Sequence, residues 1–188
     1  MQLLISLPAA AHLSADLVGE AMQAVLHCHK HHASASCLAK IFKLPAATQH
    51  SSQQVAAALK AAVQGSGGVT FIRLLCKLPA AAQLSSDLVA ELLHAATASC
   101  TPACEVLLCK LPASQQLSGH QVVKVLDAAV QRGDAGCVKQ LCTLPTAKQL
   151  SSEALSGLLQ AAQQVGSKKR SKCVAPLRGL LAAAEKAR

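Results

Sequence analysis

Apolar and polar positions follow one another along the chain in blocks that repeat. Leu-Pro pairs mark the period, at Leu7-Pro8, Leu44-Pro45, Leu78-Pro79, Leu111-Pro112 and Leu144-Pro145, with successive intervals of 37, 34, 33 and 33 residues. A short polar segment comes next, and its first serine (Ser14, Ser51, Ser85, Ser118, Ser151) stands where a helix N-cap belongs. A hydroxyl there accepts from backbone N–H groups that the first turn leaves free, worth about 1 kcal/mol. Asp16, Asp87 and Glu153 follow in the first turn, where a carboxylate suits the helix dipole. Apolar residues then fall at i, i+3, i+4 and i+7. The sets are Val18/Ala21/Met22/Val25, Val55/Ala58/Leu59/Ala62, Val89/Leu92/Leu93/Ala96, Val122/Val125/Leu126/Ala129 and Leu155/Leu158/Leu159/Ala162. That spacing predicts five helices, each with one buried stripe.

A second, shorter apolar run ends at the next Leu-Pro pair. Its inner faces are Leu38/Ile41/Phe42, Ile72/Leu75/Cys76, Leu108/Cys109 and Val138/Leu141/Cys142. Lys43, Lys77 and Lys110 close three of these runs, where a cation offsets exposed carbonyls, and the proline then bars continuation. Glu105 stands in the phase of Leu38, Ile72 and Val138, an exception that the repeat does not account for. Two short helices with one stripe each cannot form a domain alone. Stacked, each pair covers the next, and each buried Leu or Val contributes roughly 1.5–3 kcal/mol. The expected fold is therefore all-α, a solenoid of about five helix-turn-helix units of about 33 residues in a single array over residues 1–188. Its units run approximately 9–45, 46–79, 80–112, 113–145 and 146–188. Leu3-Leu4-Ile5-Ser6-Leu7-Pro8 lines up with Leu74-Leu75-Cys76-Lys77-Leu78-Pro79, so residues 1–8 read as the remnant of a preceding unit. The chain is expected to be a fragment or shortened relative of a longer array.

Composition sharpens the helical reading. Hydrophobic residues make up 52% of the chain but aromatics only 1%, so the core must be built from Ala, Leu, Val and Cys. Ala and Leu head the helix propensity scale, whereas strands favour β-branched and aromatic side chains. The mean hydropathy of +0.35 raises the question of a membrane span. No 18-residue window is free of charged or strongly polar side chains, and the apolar start is broken by Pro8 and lacks a basic leader. A soluble intracellular protein is expected, cytoplasmic with a nuclear alternative, and monomeric.

"LLHAA", "VLDAAVQRGDAGCVKQL" and "LLQAA" resemble the ankyrin repeat, with its Leu-x-x-Ala-Ala, short Gly-bearing loop and Val-x-x-Leu second helix, and the 33-residue period agrees. Three departures stand beside the likeness. No Thr-Pro-Leu-His opens the first helices, and Thr101-Pro102 instead precedes a second helix as an N-cap and N1 pair. "LPAAAQLSS"-like linkers replace the Asp-Gly hairpin tip, so β-hairpin fingers are not expected. The stretch from Ala129 to Val138 is about one residue longer than usual. The resemblance implies a non-catalytic scaffold that binds other proteins through its concave face and loops.

Repeat phase also absorbs most of the apparent chemistry. Cys76, Cys109 and Cys142 share one position of the unit, and Cys37, Cys104, Cys137 and Cys173 share another, as expected of small core residues. No Cys-x-x-Cys pair strengthens a zinc reading, and free thiols imply a reducing compartment. "HCHKHHASASC" is a four-residue expansion of one loop, measured from Val25 to Cys37 against Ala96 to Cys104. An unliganded surface loop is the expectation, with no metal; His27, Cys28, His29, His31 and His32 are the ligands a Zn or Cu ion would find. "GSKKRSK" reads as a second expanded loop, a solvated basic cluster whose alternative is a nuclear-import or phosphate-contacting patch. These two expansions supply the candidate partner contacts: His29, Lys30, His31 and His32, and Lys168, Lys169, Arg170 and Lys172.

No phosphate-binding Gly loop, Gly-x-Ser-x-Gly, His-Glu-x-x-His or carboxylate pair occurs, so neither catalysis nor a cofactor is expected. The expected function is protein–protein interaction with another protein. The alternatives are polyanion binding by a chain of net charge +9, or a truncated copy with no role of its own. Nucleic acid is the less supported partner, since no aromatics interleave the cations to stack on bases.

Overall fold

The computed structural model describes residues 17, 19–21, 24, 40, 41, 44, 49–65, 68–99, 102–164 and 168–186. These are α- and 3₁₀-helical with intervening turns, and no strand occurs among them. None of their helices is long and apolar enough to cross a membrane. The chain divides into two compact units, Met1–Leu84 and Ser85–Arg188.

In the first unit, α1 (Ser52–Gln64) starts on Ser51, whose hydroxyl accepts from the Gln54 N–H at 3.2 Å. The Gln54 side chain returns the favour, its Oε1 accepting from the Ser51 N–H at 3.0 Å, which completes a capping box. The predicted stripe Val55/Ala58/Leu59/Ala62 is buried. α2 (Gly68–Leu75) packs on α1 and buries Phe71, Ile72 and Leu75. A 3₁₀ turn, Pro79–Gln83, then lies against α1 and buries Ala80 and Ala81.

The second unit holds α3 (Ser86–Ala98), α4 (Pro102–Leu108), α5 (Gly119–Arg132), α6 (Ala135–Leu141), α7 (Ser152–Gln164) and α8 (Lys168–Lys186). Successive helices pair as hairpins, α3 with α4, α5 with α6 and α7 with α8. The first helices also pack on one another, α3 on α5 and α5 on α7, and the second helices do likewise, α4 on α6 and α6 on α8. All three predicted first-helix stripes are buried, as are Leu108, Cys109, Val138 and Leu141 of the second helices. Ser85, Ser118 and Ser151 cap as their position predicts, each accepting from a backbone N–H three residues on at 3.2–3.3 Å. Two polar bonds tie α5 to α3: Gln121 Nε2 donates to Asp87 Oδ1 at 2.6 Å, and the Arg132 guanidinium donates to the Ala98 carbonyl.

Two segments outside the predicted helices are helical. The Leu-Pro linkers are 3₁₀ turns at Pro79–Gln83, Pro112–Gln116 and Thr146–Gln149. The proline ring presets a helical φ at a position whose missing N–H is not needed, and the Leu78 and Leu111 carbonyls accept from Ala81 and Ser114 at 3.0 Å. The basic segment is the second correction: Lys168, Lys169, Arg170 and Lys172 belong to the opening turns of α8. Lys and Arg are good helix formers, and Cys173, Leu177 and Leu180 behind them form a buried i, i+4, i+7 stripe that anchors the helix. Pro176 sits inside α8, where it forgoes one backbone bond within an otherwise packed helix.

The long stretch between α5 and α6 also has a local cause. Gly133 adopts the left-handed conformation (φ 72°) and ends α5, its N–H reaching the Val130 carbonyl at 2.9 Å. Asp134 then caps α6, one carboxyl oxygen accepting from the Cys137 N–H at 3.0 Å.

Candidate interaction surface and interior polar cluster

Of the partner contacts expected from the sequence, His29, Lys30, His31 and His32 lie outside the described residues, as do His27 and Cys28. Lys172 is exposed on α8. Among the described residues no group of three or more His, Cys, Asp and Glu side chains is placed to hold a metal ion.

The stacking of first helices builds a surface that the sequence reading did not single out. Their buried stripes leave the opposite faces to solvent, so Asp87, His120 and Glu153 are exposed at the same turn of α3, α5 and α7. One turn further on, Glu91, Lys124 and Gly157 are exposed in the same phase, and His94, Asp127 and Gln160 after them. The Gln121–Asp87 bond holds α3 and α5 at this level. Exposed positions thus recur every 33 residues on three helices packed in a row, giving a face that is mixed in charge and free of large apolar groups. Such a face can recognise a polar segment of a partner; it lacks the aromatic anchors that dominate tight interfaces. The repeat period carried the signal, since one polar column per unit recurs opposite the apolar stripe.

The interior of the second unit holds a different arrangement. Glu105 on α4 is 0% exposed, and neither of its carboxyl oxygens has a hydrogen-bond partner. Burial first holds its carboxyl above the usual carboxylate range, and the charge of Asp134 adds to the rise. The Cys137 thiol and the Thr97 hydroxyl face it and pull the other way, without reaching hydrogen-bonding geometry. Thr97 is itself buried and donates to the Leu93 carbonyl at 2.8 Å.

The described cysteines of the second unit are core thiols: Cys104, Cys109, Cys137 and Cys173 are buried and Cys142 is half-buried, as Cys76 is in the first unit. Burial pushes the Cys109 thiol up to about 12 and the Cys142 thiol up to about 11, with Glu105 adding to the first and Cys173 to the second. Cys137 is raised further, by burial and then by Glu105. Thiols held protonated in this way are poor nucleophiles and poor metal ligands. No family model matches the chain, and no curated protein or solved structure matches it.

Proposed function

We propose that the chain is a non-catalytic protein-interaction scaffold, an ankyrin-like solenoid of helical hairpins that binds another protein through the exposed face of its first helices and through its two expanded segments. The observation that carries this reading is the two-row packing of residues 85–188, first helix on first helix and second on second, at the period of the sequence repeat. Units that bury their stripes only against neighbours leave one polar face per unit, and such faces add up to an extended surface. The test is affinity capture with the intact chain, compared with a variant carrying Glu91→Ala, His94→Ala, Lys124→Ala and Asp127→Ala. All four positions are exposed, so the variant is expected to fold and to lose its partner. Retention of every partner by the folded variant counts against this face.

A second reading is favoured by one feature of α8, whose opening Lys168-Lys169-Arg170 has no acidic residue in the first turn to balance it. In this reading the net charge of +9 serves to bind a polyanion. Such binding is released steeply by salt, because counterions return to the polyanion as the cations leave. Filter binding with duplex nucleic acid over a salt series separates the two readings, and no retention at low salt removes the second.

A further inference from the structure

Three polar residues interrupt the apolar interior of residues 85–188. Ser114 is satisfied in its turn, its hydroxyl facing the Cys109 and Leu111 carbonyls at 2.6 Å, and the other two belong to one hairpin. Thr97 on α3 stands in the repeat phase of Val63 and Val130, and Glu105 on α4 in that of Ile72 and Val138. The aliphatic counterparts are buried in their own units, and so are these two. The Thr97 hydroxyl proton is committed to the Leu93 carbonyl of its own helix, so it is not offered to the carboxyl.

Among the described residues, the groups that act on Glu105 include no cation. Asp134 and Cys137 come from α6, Cys109 from the turn that closes α4, and Thr97 from α3. Asp134 brings negative charge, and the two thiols are held neutral. An ionised carboxylate without donors or a countercharge is strongly disfavoured in such a place, whereas a neutral carboxylic acid is tolerated far better. The side chain that fits this interior is therefore the protonated one.

We propose that Glu105 is a proton-held latch: the α3–α4 hairpin keeps its contact with α6 while the Glu105 carboxyl carries its proton, and rising pH loosens that contact by drawing the proton into solvent. The chemistry is a single ionisation, carboxylic acid to carboxylate plus a solvent proton, with no other bond made or broken. The direction follows from linkage. The folded carboxyl is raised above its ordinary value of 4.5, so beyond that pH the folded chain still holds a proton that the unfolded chain has released. The stabilising contribution is fully present below that pH and drains away as the pH climbs through the folded value.

The experiment uses the full chain and compares it with Glu105→Val, which restores the aliphatic phase, and Glu105→Gln, which keeps the shape but cannot ionise. Urea denaturation followed by far-ultraviolet circular dichroism is measured from pH 5 to pH 8, below the range in which thiols titrate. The folding constant of the native chain is expected to fall relative to either variant by up to about tenfold per pH unit within the window, the slope of one proton. Parallel pH dependence in the native chain and a folded variant overturns the proposal. If neither variant folds, infrared difference spectra of the native protein decide: a protonated-carboxyl carbonyl band that outlasts the ordinary carboxylate range as the pH rises and then disappears supports the latch, and a band lost within that range overturns it. Amide exchange in α4 and α6 locates the loosening. Native protection that falls with pH faster than in Glu105→Gln supports the proposed contact, and equal trends reject it.

Discussion

His50 occupies the place just before the capping serine that Leu84, Leu117 and Leu150 hold in the later units. All four side chains are buried, but both ring nitrogens of His50 lack a hydrogen-bond partner among the described residues. A buried polar atom without a partner costs about 1–3 kcal/mol. His50→Leu is therefore expected to raise stability by roughly that amount, read as a higher urea midpoint at unchanged slope. The thiols make a separate prediction at alkaline pH. Cys109 and Cys142 are raised from 9.0 to about 12 and about 11, so the folded state holds protons that the unfolded state releases above pH 9. Stability from these groups is complete below pH 9 and declines as the pH rises toward 11, and Cys109→Ala is expected to flatten that decline in pH-dependent denaturation. At this scale the repeat was informative in an unusual way. It marked Glu105 as out of phase without saying what an acid does there, because the answer depends on Asp134, Cys137 and Thr97, which lie on other helices.

Helices were legible wherever a stripe, a cap and a stop coincided. Ser51, Ser85, Ser118 and Ser151 all cap, since an N-cap needs only local geometry and a hydroxyl. Removing one of these caps, as in Ser118→Ala, is expected to cost about 1 kcal/mol in denaturant titrations. The Leu-Pro linkers were less legible. Proline was read as a stop, but the same fixed φ that ends one helix opens a 3₁₀ turn, and tertiary burial of Ala81, Ala113 and Ala147 completes it. The basic opening of α8 was misread because charge density argues for solvent, while helix formation there follows from the packing of Cys173, Leu177 and Leu180. Gly133 is the one glycine among the described residues with a positive φ, and it makes the turn from α5 into α6. Gly133→Ala places a Cβ in the left-handed region and is expected to destabilise the second unit by about 1–2 kcal/mol, again measured by denaturation.

For the molecule as a whole, the second unit joins three hairpins through two rows of helices, so its stability is shared among neighbouring interfaces. Residues 85–188 expressed alone are expected to keep their helical circular dichroism and unfold cooperatively; a non-cooperative melt would argue against interdependent hairpins. Periodicity alone was enough to establish that the described residues are helical and where the stripes beginning at Val55, Val89, Val122 and Leu155 lie, because these depend on spacing and local capping within a few residues; Val18, Met22 and Val25 of the first stripe lie outside the described residues. Contacts between residues about a repeat apart supplied the rest: the pairing of rows, the 3₁₀ form of the linkers, the reach of α8 and the stranding of Glu105 away from water and donors. Burial is a property of what comes from the neighbouring hairpins, and a linear pattern can name a candidate for it without stating which groups will be waiting there.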